Sequence, residues 1–195
     1  MNILKDKKIK TAIANCNPNQ IAVAYLGIDW ESYIPNYKDL ECVIISPTIG
    51  SNPHAITSLA KAIGWDRIYF LDELHSKIYL GEKTAIIGSS NLTYNGLSGQ
   101  SLIELCVEIV DIDNLKEISD FLKDLKIRAA KKYPSITSKK QKVQELEVLW
   151  GRGISDDVIV TKEKMNFHFN EFELLANDHF YVVWYQQPIL ITRMN

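Results

Sequence analysis

Residues 75–91 read HSKIYLGEKTAIIGSSN, and the fold turns on how they are placed. Two short apolar runs, Ile78 to Leu80 and Ala85 to Ile87, are separated by Gly81, which permits a turn. Along a strand, side chains alternate faces, so His75, Lys77 and Tyr79 point one way while Ser76, Ile78 and Leu80 point the other. The second run brings the chain back, which sets Gly88, Ser89, Ser90 and Asn91 at the end of the sheet where His75 and Lys77 stand. Polar and apolar residues thus divide between a sheet end and a core.

Outward from this hairpin, further apolar runs read as strands of four to eight residues: 21–27, 42–46, 67–72 and 103–110. Several are apolar on both faces, as in a sheet covered on both sides. Between the second and third lies 52–65, where Ile56, Leu59, Ala60 and Ile63 fall on one helical stripe and Gly64 suits a C-cap. From Asp113, Leu115, Ile118, Phe121, Leu122 and Leu125 make a second stripe, with lysines gathering in the last turns where the helix dipole favours cations. The expected fold class is therefore α/β, a mixed β-sheet flanked by helices over residues 1–132. Pro134 and the Ser/Thr/Lys stretch after it mark 133–142 as a basic linker. Residues 143–195 are expected to form a small C-terminal α+β appendage, opening with a short helix that breaks at Gly151-Arg152-Gly153 and closing with an aromatic-rich tail that completes a core or a subunit interface.

With 195 residues, 46% hydrophobic and 24% charged, the chain can bury a full core. It has neither a long apolar run for a bilayer span nor the apolar segment of a signal peptide at its start, so no membrane is expected and a cytoplasmic location follows. Cys16, Cys42 and Cys106 are odd in number and far apart, which suits reduced core thiols. The net charge of −2 argues against a general polyanion-binding protein, yet residues 126–142 carry seven Lys or Arg and no acid. That strip, with Lys131, Lys132, Lys139 and Lys140, is a candidate contact for nucleic-acid phosphates.

On the next strand Glu104 stands among apolar neighbours and is placed to orient an imidazole. His75, Lys77, Ser89, Asn91 and Glu104 together suit phosphodiester cleavage. A neutral imidazole attacks phosphorus, Lys77 and Asn91 stabilise the charge growing on the non-bridging oxygens, and the carboxylate orients the nucleophile. No aspartate cluster or His/Cys cage suggests a metal or other cofactor, so the cations at the phosphate are side chains.

The stretch 74–109 resembles the motif of the phospholipase D superfamily, in particular its bacterial nuclease and restriction-endonuclease-like branch. His75 and Lys77 match its His-x-Lys pair, Gly88, Ser89 and Asn91 its Gly-Ser-x-Asn loop, and Glu104 its later carboxylate. Residues 46–73 are also similar to the segment that precedes the motif, and the likeness spans about 20–125. Glu82 departs from it, one methylene longer than the family's aspartate. The resemblance implies a phospholipase D-like sandwich, a catalytic set of His75, Lys77, Asn91 and Glu104, phosphate contacts from Gly88 and Ser89, and cleavage of nucleic acid, DNA before RNA, through a phosphohistidine. Family members use two such histidines, whereas this chain has one copy of the motif and His54, His168 and His179 lack its context. A homodimer bringing two His75 side chains to one phosphate is the implied assembly, with one imidazole neutral and one charged. Two alternatives share the motif: hydrolysis of a phospholipid or small phosphodiester, and a nucleic-acid-binding module without turnover.

Overall fold

The computed structural model describes residues 1–159 and the strand segments 180–183 and 190–193, with side chains described as far as residue 151. The chain divides into two compact units, Met1–Asp156 and Asp157–Asn195.

The first unit is built on a seven-stranded mixed sheet. Its strands are β1 (Asn2–Lys5), β2 (Gln20–Val23), β3 (Cys42–Ile45), β4 (Ile68–Phe70), β5 (Ile78–Leu80), β6 (Ala85–Gly88) and β7 (Leu105–Ile109). They lie in the order β1-β7-β6-β5-β2-β3-β4. β2, β3 and β4 run parallel, while β5 is antiparallel to β2 and the β5-β6-β7-β1 side is antiparallel throughout. This is the mixed, helix-flanked sheet expected from the sequence.

The helices are α1 (Lys7–Cys16), α2 (Pro53–Ile63), the single turn α3 (Tyr94–Leu97), α4 (Ile112–Lys132) and α5 (Ile136–Ile159). α2 buries the expected stripe of Ile56, Leu59, Ala60 and Ile63. It begins on the Asn52 side chain, which accepts from the His54 and Ala55 amides, and ends at Gly64, whose φ of 95° suits a residue without Cβ. α4 covers the other face through Ile118, Leu122, Leu125 and Ala129, against Ile44, Ile78, Leu80 and Ala85. Phe121, which the helical spacing assigns to that stripe, is partly exposed on the helix flank.

Three features differ from the sequence reading. β1 and α1 were not anticipated, although Ile9, Ala12, Ile13 and Cys16 repeat at helical spacing and are all buried. His75 to Lys77 form an extended approach to β5 rather than part of it, and Glu104 likewise stands one residue before β7. The third concerns residues 133–142, which are not a linker. From Ile136 they form the first turns of α5, started by the Ser135 hydroxyl accepting from the Ser138 amide. Val143 and Leu146 on the same helix are buried in the main core with Ile63, Phe70 and Ile45. Helix α5 continues through Gly151 and Gly153 without the expected break, and the boundary between units falls at Asp156. An apolar face reaching back over the first unit outweighs the local turn-forming residues.

In the second unit, β8 (Phe180–Val183) and β9 (Leu190–Arg193) pair antiparallel, with Phe180 opposite Arg193. The rest of the aromatic-rich tail, with His168 and His179, lies outside the described residues. Among the described residues no helix is long and apolar enough to cross a membrane.

The placement of α5 has a direct test. Replacing buried Leu146 by Ala should destabilise the protein by about 2–4 kcal/mol in urea unfolding, through reduced burial and a cavity. Exposed Leu149→Ala should change it by no more than about 0.5 kcal/mol. Equal effects would mean that the helix does not dock as described.

Candidate active site

The candidate residues come from three strand ends that register places side by side. Ile78 opposes Ile87, Gly88 opposes Cys106, and Leu105 opposes Lys5, so the entry to β5, the exit of β6 and the entry to β7 share one end of the sheet. The Gly88 amide donates to the Lys77 carbonyl (3.2 Å) and the Ser89 amide to the Leu105 carbonyl (3.1 Å), extending the ladder beyond the strands. His75, Lys77, Ser89 and Glu104 are held at that end by backbone pairing.

Lys77 is only 6% exposed, while His75 beside it is open to solvent. Its Nζ donates to the His75 carbonyl (2.6 Å) and lies 3.2 and 3.3 Å from the two ring nitrogens of His75. Burial pushes the Lys77 pKa below the usual lysine value, and the negative charge of Glu104 pulls it part of the way back. The imidazole thus stands in solvent with a buried cation fixed behind it. On the opposite face from Ile78 and Leu80, Tyr79 is fully enclosed and its hydroxyl donates to the Ser90 carbonyl (3.1 Å), tying β5 to the loop after β6.

Glu104 behaves differently from the expectation that it orients His75. Within the chain its carboxylate accepts from the Ser89 hydroxyl, which in turn accepts from the Leu105 amide (3.0 Å). No hydrogen bond joins Glu104 to His75 among the described residues. Ser89, expected to face phosphate, has its hydroxyl engaged by that carboxylate. Gly88 also has a structural reason to lack a side chain, because a Cβ there would run into the Leu105 carbonyl and Cys106 of β7.

Asn91 is half-buried, and its Oδ1 accepts from the Tyr25 amide (3.0 Å) beyond β2. With the oxygen so used, the Nδ2 of Asn91 is left as a donor. Nearby, the Gly27 amide donates to the Leu92 carbonyl (2.8 Å) and Leu26 bridges Leu92, so the Asn91 loop is stitched to the end of β2. The Tyr25 ring meets the His75 ring edge to face, with centroids 6.5 Å apart. Tyr25, absent from the sequence reading, thus joins the loop to the histidine; only its place at the end of an apolar strand run hinted at this.

The segment leading into His75 is anchored by ions. Asp72 pairs with Lys132 (2.8 Å) and Lys142 (3.4 Å) and accepts from the Tyr133 hydroxyl (2.8 Å), while Glu73 pairs with Arg128 (3.0 Å). Burial raises the Asp72 pKa, but the hydrogen bonds from Lys132 and Tyr133 and the nearby lysine charges outweigh it and hold the carboxyl below its ordinary value. Lys132 is thereby committed to the fold. Lys139 is 7% exposed, its Nζ donating to the Trp65 carbonyl (3.0 Å) over the Tyr69 ring, so it is not a surface contact for phosphate. Of the four basic candidates, Lys131 and Lys140 are exposed with no ion pair among the described residues, while Lys132 is exposed but paired.

The other sequence candidates stand apart. Glu82 is exposed in the β5–β6 turn, at the opposite end of β5 from His75. His54 is exposed in the first turn of α2. Cys16 and Cys42 are buried thiols pushed up to about 11 by desolvation, which suits inert core groups. Among the described residues, no three His, Cys, Asp or Glu side chains are grouped as metal ligands.

Comparison with solved structures finds the same fold. NucT from Helicobacter pylori superposes with a TM-score of 0.54 at 11% identity, covering 66% of this chain and 95% of NucT. Nuc from Salmonella typhimurium, described as a phospholipase D family member, gives a TM-score of 0.49 at 12% identity over the same shares. No family model and no curated protein matches the sequence. The fold of the first unit is thus one shared with NucT.

The electrostatics of the site predict a measurable titration. By carbon-detected NMR at the lysine ε position, Lys77 should lose its proton below the usual 10.5, and Glu104→Gln should shift that titration further down by removing the charge that favours the ammonium. A Lys77 that titrates at the ordinary value in both proteins would contradict its burial.

Proposed function

We propose that the protein is a metal-independent phosphodiesterase that cleaves nucleic acid, DNA before RNA, through a covalent phosphohistidine at His75 in a site shared across a homodimer. What supports this most is a solvent-open imidazole backed by the buried ammonium of Lys77, with an Asn91 amide whose oxygen is already used.

In the first step, the lone pair of a neutral His75 ring nitrogen forms a P–N bond while the bond from phosphorus to the leaving oxygen breaks. A second, protonated imidazole gives its proton to that oxygen. In the second step, the now neutral imidazole takes a proton from water, the resulting hydroxide attacks phosphorus, and the P–N bond breaks. Lys77 and the Asn91 Nδ2 stabilise the charge carried by the non-bridging oxygens in both steps. Glu104, held by Ser89, acts within one chain by sustaining the Lys77 charge rather than by gripping His75.

The second imidazole comes from another copy of the chain. Around Glu104, Leu102, Ile103 and Leu105 are 55%, 100% and 50% exposed, an apolar rim beside the site of the kind that marks interfaces. A two-fold axis near His75 would cover this rim and supply Lys77 and Asn91 twice.

Cleavage of plasmid and single-stranded DNA should persist in excess EDTA and disappear in His75→Ala. Mixing wild type with an equal amount of His75→Ala under exchange should lower activity per wild-type chain to about half, since mixed dimers lack one of the two imidazoles. Activity that needs a divalent ion, or a monomeric chain whose activity is unaffected by the inactive variant, would overturn the corresponding part of the proposal.

A further inference from the structure

The basic strip read from the sequence is largely consumed by the fold, and a different group of lysines is left free near the site. Residues 5–10 contain four lysines and one aspartate. Lys10 is turned onto the Tyr33 ring at 4.9 Å. Lys5, Lys7 and Lys8 are exposed, and among the described residues none of their side chains enters a hydrogen bond or an ion pair. By contrast, Arg128, Lys132 and Lys142 all pair with Asp72 or Glu73.

These three lysines line one open cavity of about 780 Å³ together with Ile3, Asp6 and Gly99. Sheet register places this cavity relative to the site. Lys5 is opposite Leu105, the residue after Glu104, and Cys106 is opposite Gly88, which bonds to Lys77. The β1-β7-β6-β5 order puts three strand spacings between Lys5 and the Lys77 column, or about 14 Å along the same end of the sheet. A strand of B-form DNA covers that distance with about four phosphates. The loop leading to Glu104 also closes on this cavity, since Gly99 packs against the backbone of Asp6 and Lys7 so tightly that a Cβ would stand 2.8 Å from the Lys7 nitrogen.

We infer that Lys5, Lys7 and Lys8 form a binding surface for the phosphodiester backbone of nucleic acid, which runs from the catalytic end of β5 across the entry of β7 to this cavity. The inference rests on the proposed nuclease reading for its substrate class. It assigns the anchoring of the flanking backbone to the N-terminal lysines rather than to Lys131 and Lys140. In a two-fold dimer each chain would contribute one such surface, on opposite sides of the shared phosphate.

The test uses the full chain carrying His75→Ala, so that oligonucleotides bind without being cut, and a fluorescein-labelled single strand read by anisotropy across a salt series. Converting Lys5, Lys7 and Lys8 together to Gln should weaken binding at low salt at least about tenfold and flatten the log–log salt slope by about two, at roughly 0.7 for each phosphate no longer neutralised. Lys131→Gln with Lys140→Gln should leave affinity and slope near the parent's, and thermal melting confirms that each variant folds. Unchanged affinity and slope in the triple variant would overturn the inference, as would a weakening confined to the Lys131 and Lys140 pair. So would triple-variant sensitivity found only with anionic phosphatidylserine vesicles and not with the oligonucleotide. Hydrolysis of bis(p-nitrophenyl) phosphate by the wild-type chain in EDTA tests the active site separately. If that fails while the lysine effect stands, the surface survives and the catalytic reading falls.

Discussion

The contact on which the site depends is the close approach of β6 and β7 at Gly88. A side chain at this position would collide with the Leu105 carbonyl and Cys106, so the two strands meet this closely because residue 88 is glycine. The approach lets the Ser89 amide and hydroxyl reach across to β7, which brings Glu104 beside the exit of β6. The same glycine donates its amide to Lys77, so β5 is fixed on its other side. One missing methyl group thereby sets three of the candidate residues at a common end of the sheet. The glycine to which the resemblance assigns a phosphate contact is occupied by the approach of a neighbouring strand.

A second constraint follows from burying Lys77. An ammonium removed from water is costly unless hydrogen-bonded or paired, and here the compensation is partial. It consists of the His75 carbonyl and ring nitrogens within reach of Nζ, and the Glu104 charge at longer range. The lowered pKa is the sign that compensation falls short. An anionic phosphate at His75 would supply the missing negative charge. A buried cation whose charge is only partly compensated attracts an anion more strongly than one already neutralised. Ser89 contributes indirectly, by holding the Glu104 carboxylate where it sustains this cation without neutralising it by direct contact.

Much of this was legible in the sequence because it is local. The alternation in residues 78–80 and 85–87 located β5 and β6, and the stripe of Ile56, Leu59, Ala60 and Ile63 located α2. What escaped depends on contacts distant in the chain. Helix α5 has turn-forming residues at its start and two glycines in its course, and it is held by Val143 and Leu146 entering a core assembled from residues far upstream. Tyr25 reaches the site only because its amide meets Asn91, sixty-six residues later. Lysine spacing likewise could not tell a solvated cation from one committed to the fold: Lys139 is buried with its Nζ over the Tyr69 ring and on the Trp65 carbonyl, while Lys5 and Lys8 are exposed and unpaired among the described residues.

The fate of the basic strip also explains how the first unit stays in register with its site. Asp72 and Glu73 lie in the turn between β4 and the approach to β5, just before His75. Arg128 and Lys132 come from α4, Tyr133 from its end, and Lys142 from α5, so charges from two helices converge on one turn. Individually exposed pairs contribute little, but Asp72 is partly buried and answered by three groups at once, and its lowered pKa shows that the charged form is favoured in place. The Ser46 hydroxyl donates to the Asp72 carbonyl from the end of β3, fixing the backbone of the same turn (2.8 Å). The segment carrying His75 is therefore tethered at Asp72 by the helices and at Lys77 by Gly88. Between those tethers the imidazole stays exposed to solvent while the backbone on either side of it is fixed. Lysines and an arginine clustered in sequence near a helix end thus hold the loop that carries His75, and are spent on the fold rather than left on the surface.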